Sequence, residues 1–138
     1  MNTRWCWLVV ALVLLAAVSG CGSGRVKVTG RVTYKGEPVP STEVYFQPDD
    51  GSRTSIGKTD DDGRFSLRFS RQEDGAPKGS YHVALRYVQS AEEELHQIPP
   101  KASRELKEVI AKYNDASKSP LHYDVTTNGQ FIEIKLDE

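Results

Sequence analysis

From Val26 onward the apolar residues fall mainly at every second position. Val26, Val28, Val32 and Tyr34 share one face of an extended stretch, with Gly30 in the same register, and a period of two marks a strand with one buried side. The alternation returns at Val44 and Phe46 with Tyr45 facing outward, and at Phe65, Leu67 and Phe69. It is clearest at Tyr81, Val83, Leu85 and Tyr87, whose outward partners are His82, Ala84, Arg86 and Val88. Turn residues separate these runs at 35–38 (KGEP), 48–51 (PDDG) and 59–63 (TDDDG). The last of these is expected to close a hairpin between a short strand around Ile56 and the strand 64–69. Residues 90–119 break the pattern, and within them Leu106, Val109, Ile110 and Tyr113 recur at helical spacing behind Pro99 and Pro100, which predicts one amphipathic helix. Leu121, Tyr123 and Val125, then Ile132, Ile134 and Leu136, alternate on either side of Asn128-Gly129, a pair suited to a two-residue type I′ turn and so to a C-terminal hairpin. About seven short strands separated by turn signals predict an all-β fold: a single antiparallel β-sandwich with one inserted helix before the C-terminal hairpin.

The N-terminus has a different pattern. Residues 5–18 read WCWLVVALVLLAAV, preceded by the lone charge of Arg4 and followed by the small residues Ser19 and Gly20. A permanent membrane helix needs about 20 apolar residues, whereas this shorter run has the layout of an export signal. Val18-Ser19-Gly20-Cys21 resembles the lipobox of bacterial lipoproteins. That resemblance implies diacylglycerol on the Cys21 thiol, cleavage before it, and Cys21 as the mature N-terminus. Each buried methylene contributes about 0.8 kcal/mol, so one acyl chain holds marginally and two or more hold stably. The expected organisation is a signal peptide over 1–20, a lipidated tether over 21–25 and a β domain over 26–138. The expected location is a membrane surface facing the periplasm or the cell exterior. Gly22 stands where an aspartate retains some lipoproteins at the inner membrane, which favours the outer one.

Processing would remove one positive charge, Arg4, from a formal net charge of −1 and leave −2. No polybasic stripe or acidic tail is present, so the sequence offers nothing for electrostatic capture of nucleic acid. Cys6 would leave with the signal and Cys21 would carry the lipid, so no cysteine pair remains for a disulfide or a thiolate metal site. The fold is expected to rest on its apolar core alone.

Four segments in order, VTGRVTYKGEPV over 28–39, VYFQP over 44–48, TDDDGRFSL over 59–67 and GSYHV over 79–83, resemble the carboxypeptidase regulatory-like, transthyretin-like domains. The resemblance covers Val26 to about Val88. It implies a prealbumin-like sandwich of seven strands that accompanies enzymes or coats envelopes without catalysis of its own.

Candidate chemistry is sparse. His82, His96 and His122 lack the spacing of a zinc peptidase, and His82 and His122 fall on outward strand positions where a solvated imidazole is the expectation, so no metal or cofactor site is assigned. Asp60 and Asp62 match a calcium loop in part, but Lys58 and Phe69 occupy its first and last ligand positions, so a turn is expected. No Gly-x-Ser-x-Gly elbow or phosphate-binding loop occurs, and His122 and Asp124, expected on opposite faces of one strand, make a weak hydrolytic pair. No catalytic residue is assigned. The expected function is a lipid-anchored, non-enzymatic structural or protein-interaction module with an envelope protein as partner. The alternative is a carbohydrate-binding module that stacks the outward rings of Tyr45 and Phe131 on polysaccharide.

Overall fold

A computed structural model describes residues 24–89, 91–96 and 101–136. The export signal, Cys21 and the Pro99-Pro100 signal lie outside the described residues. The described residues are mostly β, with ten strands in the order β1 (Arg25–Val26), β2 (Val28–Tyr34), β3 (Glu37–Pro38), β4 (Thr42–Pro48), β5 (Ser55–Lys58), β6 (Arg64–Ser66), β7 (Ala76–Pro77), β8 (Gly79–Tyr87), β9 (His122–Val125) and β10 (Gln130–Lys135). Two short helices, α1 (Ala91–Leu95) and α2 (Arg104–Ala111), separate β8 from β9. None of the described helices is long and apolar enough to cross a membrane.

One four-stranded sheet has the order β5-β4-β8-β9, every pair antiparallel. The second is built around β2, which pairs with β10, β3 and β6. β1 and β7 form a separate two-stranded ribbon. Inward residues of both four-stranded sheets meet in one core: Val28, Val32, Ile132 and Ile134 from one, and Val44, Phe46, Tyr81, Val83 and Leu85 from the other. Phe46 joins them, its ring centroid 6.1 Å from Phe65, 5.8 Å from Tyr81 and 6.4 Å from Tyr123.

Two expected hairpins are absent. The 59–63 turn carries the chain from β5 in one sheet to β6 in the other, where β6 pairs with β2; Arg68 alone bridges back to Ile56. Ser55 and Gly57 are buried on β5 while Ile56 faces outward. At the C-terminus β9 pairs with β8, whereas β10 crosses to lie parallel to β2, with Ile132 opposite Gly30 and Ile134 opposite Val32. A type I′ turn needs positive φ at both central residues, and here Gly129 has it (φ 78°) but Asn128 does not. The Asn128 side chain instead accepts the Lys27 amide at 2.8 Å, and the Gly129 amide donates to the Lys27 carbonyl at 2.9 Å. These two bonds dock the start of β10 on the start of β2 and set the parallel direction. Lys35 and Gly36, both at positive φ, instead form the tight turn between β2 and β3.

Close approach explains Gly30. A Cβ there would stand 2.3 Å from the Ile132 carbonyl oxygen and 2.4 Å from the Phe65 ring, so the β10–β2 pairing and the seating of Phe65 both require glycine.

Helix α2 starts at Ser103, whose hydroxyl accepts the Leu106 amide. It buries Val109 and Ile110 in the shared core, with Leu106 packed against it. Glu105 ties the helix to β2 by accepting from Tyr34 Oη and Lys35 Nζ, each at 2.9 Å. The segment after the helix covers the edge of β8, with Leu85 N–H donating to Tyr113 O and Val83 N–H to Leu121 O. The helix expected around Leu106 is therefore present; α1 is an addition.

Phe46→Ala is expected to destabilise the protein by about 3–5 kcal/mol, because a cavity would open where the two sheets meet. Phe131→Ala, at an exposed ring, is expected to change stability by no more than about 0.5 kcal/mol. Urea unfolding of both variants checks the contrast.

Candidate functional site

The outer face of the β5-β4-β8-β9 sheet assembles the densest group of chemically active side chains among the described residues. β4 ends at Pro48, where the chain turns through Asp49, Asp50 and Gly51; the Gly51 amide donates to the Pro48 carbonyl, and the Ser52 amide to the Asp50 carboxylate. The Asp49 amide donates to Ser80 O at 3.0 Å, which keeps Asp49 alongside β8. On β8 and β9, His82 stands directly opposite His122, as Tyr81 does Tyr123. The Val83-to-Leu121 bond makes His82–His122 a non-hydrogen-bonded pair of the antiparallel ladder, the type in which side chains approach most closely. Their rings lie 4.7 Å apart at 67°.

Asp49 bridges the two rings. Its Oδ1 is 2.6 Å from His82 Nδ1 and its Oδ2 is 2.9 Å from His122 Nε2. An ionised carboxylate only accepts, so each ring donates an N–H to its own oxygen. The His122 hydrogen bond first, and the His82 bond second, hold the Asp49 carboxyl below the usual aspartate range, against the opposing effect of desolvation. All three side chains are half-exposed, and a shallow recess of about 280 Å³ lies beside them, lined by Gln47, His82, Ala116 and Ser117 among others.

Comparison with protein-family models, curated proteins and solved structures matched this chain to none. Its functional reading rests on its own residues.

His82 and His122, given no chemistry from local spacing, do face outward as expected, and the register brings them together with Asp49. Three side chains from three neighbouring strands or their ends now present two imidazole nitrogens and a carboxylate oxygen within 4.8 Å of one another. The sequence held one usable signal: Tyr81-His82 and His122-Tyr123 are mirrored dipeptides, so an antiparallel pairing that aligns the tyrosines also aligns the histidines. His96 follows α1 and is not one of the three grouped donors. His122 and Asp124 are two residues apart on β9 and share its outer face, contrary to the expectation of opposite faces. Asp124 accepts from Ser80 Oγ at 2.6 Å.

The other candidates are dispersed. Tyr45 lies on the outer face of β4, its hydroxyl donating to Glu43, a bond that raises its pKa. Phe131 is exposed on β10 in the other sheet, so the two rings do not form one platform. Asp60 engages the amides of Asp62 and Arg64 through one oxygen, while Lys101 Nζ reaches Asp61 at 2.6 Å, a turn braced by a cation.

A carboxylate whose pKa is lowered on folding adds stability above its unfolded value, about pH 4, and loses it as the pH falls through the folded value. Asp49→Asn is therefore expected to be less stable than the parent at neutral pH, with the difference vanishing as acid protonates Asp49. Thermal unfolding of both proteins between about pH 2 and 7 measures this.

Proposed function

We propose that the chain is an exported, lipid-anchored envelope protein whose prealbumin-like β-sandwich serves as a non-enzymatic structural or protein-interaction module. The observation that carries this reading is the succession of N-terminal residues in the sequence: an apolar run over 5–18, then Ser19, Gly20 and Cys21, only four residues before the strand that begins at Arg25. Four extended residues reach about 14 Å, so an acylated Cys21 holds the domain against the bilayer.

The charge near that strand supports the same orientation. Arg25 and Arg53 each lie over the Phe69 ring, at 5.1 and 5.5 Å, and Arg68 and Arg71 flank it. Glu73 and Asp74 pair with Arg25 and Arg68, and the remaining positive charge suits a surface of anionic headgroups. The carbohydrate-binding alternative would use Tyr45 or Phe131 singly.

Intact mass of the protein extracted from membranes with detergent tests the proposal. The expected mass is that of Cys21 to Glu138 plus acyl chains, and Cys21→Ser is expected to abolish acylation. A soluble chain bearing no lipid would overturn the anchor and with it the envelope reading.

A further inference from the structure

We propose that Asp49, His82 and His122 form a binding site for a divalent first-row transition-metal ion of the zinc or copper(II) class. Two of the three donors are imidazole nitrogens, which suit zinc, copper and nickel, whereas calcium and magnesium call for shells of oxygen. The donor atoms already lie within 4.8 Å of one another. Metal–ligand bonds of about 2.0–2.2 Å place neighbouring donors roughly 3.0–3.5 Å apart, so the carboxylate oxygens, now 2.6 and 2.9 Å from the ring nitrogens, move back slightly, and the widest donor separation, up to 4.8 Å, closes to the same range.

The backbone already holds the three residues side by side. His82 and His122 are opposed on one rung of an antiparallel ladder, and the Asp49 amide is held by Ser80 O. The two hydrogen bonds to Asp49 turn both rings toward a common point before an ion arrives. When it binds, the proton on His82 Nδ1 moves by way of solvent to Nε2 and that on His122 Nε2 to Nδ1, leaving each ring neutral with a lone pair on the metal. Asp50, adjacent in sequence, and Asp124, on the same face of β9 as His122, add negative charge around the site. Three protein donors leave coordination positions open, and the recess beside His82 admits the water that completes them.

The proposal is independent of the lipid anchor. The purified full chain, stripped with chelator and titrated with ZnCl2 and with CuCl2 by calorimetry, is expected to bind one equivalent of at least one of the two ions. Loss of even an outer hydrogen-bond partner of a metal ligand weakens binding about 10–100-fold, so His82→Ala, His122→Ala and Asp49→Asn are each expected to weaken it at least about tenfold. NMR of the unmutated chain asks the same question without a variant: the imidazole resonances of His82 and His122 are expected to shift with the ion while those of His96 stay in place. Failure of both ions to bind more tightly than about 100 µM, undiminished binding in the two histidine variants, or a shift confined to His96 would each overturn the site.

Discussion

The burial of Phe46 between the two sheets is the interaction on which the rest of the structure depends. The ring meets Phe65 from the opposite sheet and Tyr81 and Tyr123 from its own side of the core. Aromatic pairs at such separations add about 0.5–1.5 kcal/mol each beyond the area they bury. They also fix which way β4, β8 and β9 face. A strand whose inward residue is an aromatic ring in a filled core cannot slip by one position without turning that ring to solvent.

The outer surface inherits its geometry from this inner constraint. With Tyr81 and Tyr123 opposed inside, His82 and His122 must be opposed outside, because successive residues of a strand point to opposite faces. The end of β4 then delivers Asp49 to the same place. The imidazole pair thus sits on well-packed strands and its carboxylate on the turn that ends β4, although each is half-exposed to water. A site built this way needs no loop to close over it, and its donors stay near their binding positions before any ligand arrives.

The C-terminal crossing shows the limit of reading turns locally. Asn128-Gly129 has the composition of a hairpin turn, yet its polar groups find partners on Lys27, about a hundred residues earlier in the chain. Once the start of β10 is tied there, the strand runs along β2, where Gly30 leaves room for the Ile132 carbonyl. The 59–63 turn behaves alike: Asp60 and Gly63 shape it as their types suggest, but the flanking strands belong to different sheets. In both cases composition predicts a change of direction correctly and says nothing of which strand is met next.

The alternation of apolar and polar residues by itself determined the β character, most of the inward set from Val28 to Leu136, and the amphipathic stripe of α2, because these follow from the local geometry of strand and helix. The turn at Lys35-Gly36 belongs to the same local order. Only the tertiary structure decided the parallel β10–β2 pair, the separation of Tyr45 from Phe131, and the meeting of Asp49, His82 and His122. Each of these depends on strand order and register across tens of residues. Register is set by core packing summed over both sheets, a quantity that no local window of the chain contains.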